Sequence, residues 1–117
     1  MIVPAKVSVI MNTVNERPDW LRQAIDSYLV QHGVDVELII STVDGDPSVA
    51  VAGELCLKCV KSKVKGIYPQ LNGALREISG DWYTYASGND VAIPERLSLE
   101  VAHAGSRCGV CYADYVR

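Results

Sequence analysis

The chain has 117 residues, 49% of them hydrophobic and 21% charged, which is the size and composition of one compact domain. A formal net charge of −3 and scattered Lys and Arg residues argue against nucleic acid as a partner. No apolar run reaches the ~18 to 20 residues of a membrane span, and the N-terminus lacks the basic region and cleavage site of a signal peptide. We therefore expect a cytoplasmic protein without a membrane span.

Strands and helices alternate along the chain, with no internal repeat. Pro18 and Asp19 favour a helix start, and Gly33 a helix end. The pattern predicts strands over residues 7–11, 36–41, 82–86 and 110–116, at most a stub of strand at 63–64, and helices over 18–33, 48–60, 68–78 and 94–104. This order predicts an α/β fold of three layers, α/β/α, in which a mostly parallel sheet is covered on both faces.

Four cysteines form two pairs, Cys56 with Cys59 and Cys108 with Cys111, at a spacing typical of a zinc ribbon. The first pair falls within the predicted helix, and the second enters the apolar run CGVCY, which favours a strand, so neither has the turn that a zinc knuckle needs. We favour buried thiols over a metal site or a redox pair, because free cysteine is common in protein cores.

Polar loops follow three of the predicted strands, at residues 12–15, 43–46 and 87–90. In a parallel sheet such loops meet at one rim, where ligands bind. Amides, hydroxyls and carboxylates suit sugar hydroxyls, a base edge and a diphosphate masked by a metal ion. The chain has no glycine-rich phosphate loop of the Rossmann or P-loop kind. From the residues alone, a nucleotide-type site and loops that serve only as turns remain equal alternatives.

Six segments, in order, resemble the motifs of glycosyltransferase family 2. They are VSVIMNTVN (7–15), RPDWLRQAIDS (17–27), ELII with VDG (37–45), KGIYPQLNGA (65–74), GDWYTYASGND (80–90) and PERL (94–97). The resemblance implies a GT-A fold of the nucleotide-diphospho-sugar transferase type. Residues 1–117 would form a single donor-binding domain, truncated before the C-terminal acceptor segment.

The same resemblance implies residue roles in binding a nucleoside-diphosphate sugar, with a UDP-sugar as the first choice. Asp44 would accept a hydrogen bond from the imide N–H of the base, while Tyr68 could instead pack in the core. The implied substrate-binding residues are Thr13, Asn15, Asp44, Tyr68, Asn72 and Ser87. Asn89 and Asp90 would hold Mn²⁺ or Mg²⁺, although Asp90 could equally be a turn or cap residue.

The departures from the family concern catalysis. The Asp-x-Asp motif aligns on Ser87, Gly88 and Asn89, which leaves Asp90 as the one charge and weakens the predicted metal site. The segment that carries the general base in inverting enzymes has no counterpart before Arg117, so no catalytic residue is assigned. Three hypotheses stay open: an inverting glycosyltransferase with an unknown acceptor, an inactive nucleotide-binding module, and an assembly protein that forms a homodimer through its open sheet.

Overall fold

A computed structural model describes residues 4–88 and 91–104 of the chain. The helices and strands alternate, as the sequence predicts. In chain order they are β1 (Ala5–Asn12), α1 (Pro18–Leu29), β2 (Val34–Val43), α2 (Ser48–Glu54), β3 (Lys58–Ser62), α3 (Ile67–Leu75), β4 (Trp82–Ser87) and α4 (Arg96–Ala104). Within the described residues, no helix is long and apolar enough to span a membrane.

The four described strands form one parallel sheet in the order β3-β2-β1-β4. The central strand β1 lies between β2 and β4, and five consecutive residues of it, 7–11, are buried. A strand that is buried on both faces needs such an uninterrupted run, because neither face meets water. This confirms the predicted α/β class, with helices on both faces of the sheet.

Two hydrophobic clusters pack on opposite faces of the sheet. The larger one joins alternate residues of β1 and β2 to α1, α2 and Leu97 of α4. The smaller one joins Ile10 and Ile39 to α3 through Ala74, Leu71 and Leu75. The three layers are therefore α1, α2 and α4 on one face, the sheet, and α3 on the other face.

The segment between α2 and α3 differs from the prediction. A helix over 48–60 was expected, but α2 ends at Glu54 and β3 begins at Lys58. Cys56 adopts a φ of +55°, and the N–H groups of Cys56 and Leu57 donate to the carbonyls of Gly53 and Ala52 at 3.2 and 2.9 Å. This is the Schellman pattern that ends helices, with cysteine at the position where glycine is usual.

The prediction of buried thiols is wrong for Cys56, which is exposed, while Cys59 in β3 is half-buried. Burial raises the pKa of the Cys59 thiol, which opposes formation of a reactive thiolate. Cys108, Cys111 and the strand predicted over 110–116 lie outside the described residues.

The other helices are shorter than predicted. The first ends at Leu29 and not near Gly33, the third ends at Leu75 and not at residue 78, and the last begins at Arg96 and not at Pro94. Strands β1 and β2 are longer than predicted, because pairing with neighbours extends them past their apolar runs.

A carboxylate fastens the sheet at the amino ends of its strands. The Glu37 carboxylate accepts hydrogen bonds from the Ser8 hydroxyl at 2.8 Å, and from the N–H and hydroxyl of Ser79 at 3.0 and 2.7 Å. Lys58 Nζ lies 3.5 Å from the same carboxylate. Burial by itself raises the pKa of Glu37, but the hydrogen bonds from Ser79 and Ser8 outweigh burial and lower it to about 2.

Candidate functional site

The carboxyl ends of β1, β2 and β4 lie side by side at one rim of the sheet. The Thr13 N–H donates to the Ser41 carbonyl at 3.0 Å, and the Gly88 N–H donates to the Asn12 carbonyl at 3.3 Å. Hydrogen bonding between the strands thus continues one residue past the end of β1 on the β2 side, and one residue past the end of β4 on the β1 side. In parallel sheets this rim, next to a change in strand order, is where ligands bind.

Thr13 has a structural role at this rim, where it is buried and hydrogen-bonded to other residues of the protein. Its side chain is 1% exposed, and its hydroxyl donates to the Ser48 hydroxyl at 2.7 Å. Its carbonyl accepts from the Thr42 hydroxyl at 2.7 Å. A ligand can therefore meet the loop at Thr13 only after that hydroxyl is released, or through the neighbouring residues of the loop.

Asp46 holds the loop after β1 against the loop after β2, a role that the sequence reasoning missed. This carboxylate is 7% exposed and accepts from the Asn15 N–H at 2.8 Å, and from the Ser48 N–H and hydroxyl at 3.0 and 2.7 Å. Burial by itself raises its pKa, but hydrogen bonds from Ser48, Asn15 and Thr42 outweigh burial and hold the pKa below its ordinary value. An aspartate two residues before Ser48 at a helix start was the signal available in the sequence.

Asn15 and Asp44 stand on the two loops that Asp46 joins. Asn15 is exposed, with a φ of +55°, a conformation that asparagine tolerates better than most residues. Asp44 is exposed in the turn that follows β2, ahead of Gly45 with its φ of +78°. The structure therefore brings two predicted binding residues onto adjacent loops and leaves both side chains open to solvent.

Helix α3 approaches the same rim through Gln70, which was also missed. The Gln70 amide accepts from the Gly66 N–H at 3.2 Å and donates to the Ser41 carbonyl at 3.1 Å, while the Ser41 hydroxyl donates to the Gln70 carbonyl at 2.8 Å. Gln70 is 3% exposed, and both the oxygen and the nitrogen of its amide are hydrogen-bonded inside the protein. A glutamine within a helix gives no sequence signal for such a role.

Tyr68 and Asn72 are both exposed on α3, and Tyr68 is 80% exposed. The alternative that Tyr68 packs in the core is therefore wrong. Neither side chain hydrogen-bonds to the two loops within residues 4–88 and 91–104. These two predicted residues flank the rim, and the structure does not bring them into contact with Asn15 or Asp44.

Ser87 ends β4 and pairs in register with Asn12 of β1. Gly88 follows with little room around it, since a Cβ placed there would lie 2.8 Å from Thr13 Cγ2 and 2.9 Å from Glu16 Cγ. Asn89 and Asp90, the predicted metal ligands, lie outside the described residues. Among the residues that are described, no group of three or more His, Cys, Asp or Glu side chains could hold a metal ion.

Comparison with known protein families gives a match over most of the chain. Residues 8–116 match the family model described as Glycosyl transferase family 2. This range contains the whole described sheet except the first residues of β1, together with every loop of the rim. A comparison with curated proteins returned no match.

Proposed function

The chain belongs to glycosyl transferase family 2, and we propose that its rim binds a nucleoside-diphosphate sugar, with a UDP-sugar as the first choice. The observation that carries this proposal is the joining of two loops by the buried carboxylate of Asp46. These hydrogen bonds fix the distance between the two loops in the free protein. Ligand binding therefore costs less conformational entropy than it would if the loops had to be ordered.

The exposed carboxylate of Asp44 is the proposed base contact. A carboxylate accepts hydrogen bonds, and the imide N–H of uracil is a donor at the edge of that base. The left-handed turn at Asn15 exposes the loop after β1 for contacts with the base or the ribose. Tyr68 and Asn72 would complete the site from the α3 side, and Ser87 from the end of β4.

The proposed reaction is sugar transfer with inversion at the anomeric carbon. A hydroxyl oxygen of the acceptor forms a bond to that carbon as the bond from the carbon to the diphosphate oxygen breaks. The nucleoside diphosphate leaves with the electron pair, and the hydroxyl proton passes to a base. We assign neither that base nor the acceptor to any described residue.

A divalent cation, Mn²⁺ or Mg²⁺, stays a proposal that rests on Asn89 and Asp90. The described end of β4 supplies one hydroxyl, at Ser87, which is a poor partner for a hard cation without carboxylates beside it. The described residues alone therefore do not fit a metal site, and no step of the proposed reaction is derived through one.

The same serine favours a second candidate function, binding of the nucleotide without turnover. Ser87 stands where the family has its first metal-motif carboxylate, so the charge that would support departure of the diphosphate is missing there. Hydrolysis of the donor separates the two candidates. An enzyme releases nucleoside diphosphate from UDP-glucose and loses this activity on Asp90→Ala, whereas a binding module releases none although it binds the compound.

Calorimetric titration with UDP-glucose, GDP-mannose and TDP-glucose, with and without Mn²⁺, tests the proposed function. Saturable binding of one donor is expected, and Asp44→Ala should weaken it by about tenfold, as for one hydrogen bond to a charged group. Asp35→Ala, which removes an exposed carboxylate near the opposite end of β2, serves as the control and should change nothing. No binding of any donor would refute the proposal.

A further inference from the structure

Asn12 is the last residue of β1, at the centre of the rim. Ile10, two residues earlier, packs against α3, and side chains of a strand alternate between its faces, so Asn12 lies on the α3 side of the sheet. Its partners in register on the neighbouring strands are Ser41 and Ser87. The sheet thus ends on this side in a row of three polar residues.

The side-chain oxygen of Asn12 is buried without a hydrogen-bond partner in the described part of the chain. A buried acceptor in this state destabilises the protein, because it has lost its bond to water and gained none in return. The contrast with Gln70 is direct. That amide also lies at the rim on the α3 side, and both its oxygen and its nitrogen are hydrogen-bonded.

We propose that the Asn12 amide oxygen is a ligand contact that accepts a hydrogen bond from a ribose hydroxyl of the bound nucleoside. This inference rests on the proposed function and adds a specificity-determining residue to it. The amide torsion of asparagine is broad, so a small rotation can turn the oxygen from its buried position toward the rim. Binding would then relieve an unpaired group that the free protein carries.

We therefore expect the Asn12 side chain to lower the stability of the free protein and to raise its affinity for the nucleotide. Asn12→Leu keeps the branched shape and removes the unpaired amide, so the urea midpoint of unfolding should rise or stay unchanged. Gln70→Met, the matched change at a fully bonded amide, should lower the midpoint. If Asn12→Leu lowers the midpoint as Gln70→Met does, an internal water or another bond satisfies Asn12, and the proposal is overturned.

Titration with UDP supplies the second readout. Asn12→Leu and Asn12→Ala should each bind UDP about three- to tenfold more weakly than the unaltered protein, the loss of one hydrogen bond. Gln23→Ala, on the exposed face of α1, is the control and should bind normally. Equal affinity of Asn12→Leu and the unaltered protein overturns the proposal.

Two analogues identify the donor. 2′-Deoxy-UDP and 3′-deoxy-UDP each lack one ribose hydroxyl. The analogue that lacks the hydroxyl bound by Asn12 should bind the unaltered protein more weakly than UDP binds it. The Asn12→Leu variant should bind this analogue and UDP with equal affinity. If neither analogue behaves so, Asn12 contacts neither group and the proposal fails. If the unaltered protein binds no nucleotide, the proposed function fails, and this contact fails with it.

Discussion

Two carboxylates, the buried Asp46 and the half-buried Glu37, hold the sheet at opposite ends. Asp46 joins the loops at the carboxyl ends of the strands, and Glu37 joins Ser8 to Ser79 at the amino ends. In both, hydrogen bonds outweigh the effect of burial, and the pKa is lowered. Within the described residues, the exposed Asp44 carboxylate makes no hydrogen bond of this kind, so it is available for the proposed contact with a ligand. A proposed binding residue and a structural residue thus stand two positions apart in one turn.

Glu37 predicts a measurable pH dependence of stability. Its folded pKa of about 2 lies below the ordinary glutamate value of 4.5, so its contribution to stability is fully present above pH 4.5 and is lost as the pH falls through 2. Glu37→Gln should lower the free energy of unfolding by about 2–3 kcal/mol at pH 7. Urea unfolding at a series of pH values measures this difference, which should shrink steadily below pH 4.5.

Glu77→Gln is the control for this prediction, since it removes an exposed carboxylate from the turn after α3. It should leave the free energy of unfolding unchanged within about 0.5 kcal/mol. A Glu37→Gln variant that matches this control at pH 7 would show that the hydrogen bonds to Ser8 and Ser79 add nothing to stability.

Among the elements, the β3 region shows where sequence patterns fail. The apolar residues from 48 to 60 suit a helix, yet the chain leaves the helix at Cys56 and forms β3, since pairing with β2 outweighs local propensity. Cysteine and not glycine occupies the left-handed position that ends α2, so the sequence does not indicate the Schellman turn. By contrast, Pro18 and the buried run in β1 were strong local signals, and both predictions are confirmed.

The turn at Cys56 predicts a stabilising substitution. Cys56→Gly removes a side chain from a left-handed conformation and should raise the free energy of unfolding by about 1 kcal/mol. Cys59→Gly, three residues later, removes a half-buried side chain from β3 and should lower it by about 1 kcal/mol or more. Urea unfolding of both variants tests the pair. The same sign for both would contradict the turn geometry.

For the whole molecule, the sequence predicts the family and the layers better than the site. Thr13, Asn15 and Asp44 fall on the expected loops, because the strands that carry them are fixed by their apolar runs. The position of Asp46 before Ser48 signals a helix start, but not its contact with Asn15, 31 residues away. Gln70 and Asn12 could not be singled out, because Gln70 depends on Ser41, 29 residues away, and Asn12 is notable for an unpaired oxygen within the described residues. Such long-range polar contacts leave no periodic pattern in the chain.

Strand β4, an edge strand of the described sheet, carries two exposed tyrosines. Tyr83 is 52% and Tyr85 45% exposed, and their rings stand edge to face with centroids 5.9 Å apart. Aromatic side chains of this kind are common at protein interfaces. They support the proposal that two copies of the chain associate through this face.

Light scattering over a concentration series tests this association. The unaltered protein should form dimers as its concentration rises, and the double variant Tyr83→Ser with Tyr85→Ser should shift the midpoint to at least about tenfold higher concentration. Tyr68→Ser, which removes an even more exposed tyrosine from α3, should not shift it. A protein that stays monomeric throughout, or a double variant with unaltered association, would contradict the dimer.

Nucleotide-sugar binding is proposed at the rim formed by the carboxyl ends of the strands. Titration of the ¹⁵N-labelled protein with UDP-glucose, followed by two-dimensional amide NMR, locates the bound ligand. We expect saturable shifts that concentrate on the amides of Thr13, Asn15 and Asp44, with little change at Glu37 and Ser79 at the opposite end. Absence of saturable shifts, or shifts centred on Glu37 and Ser79, would contradict the proposal.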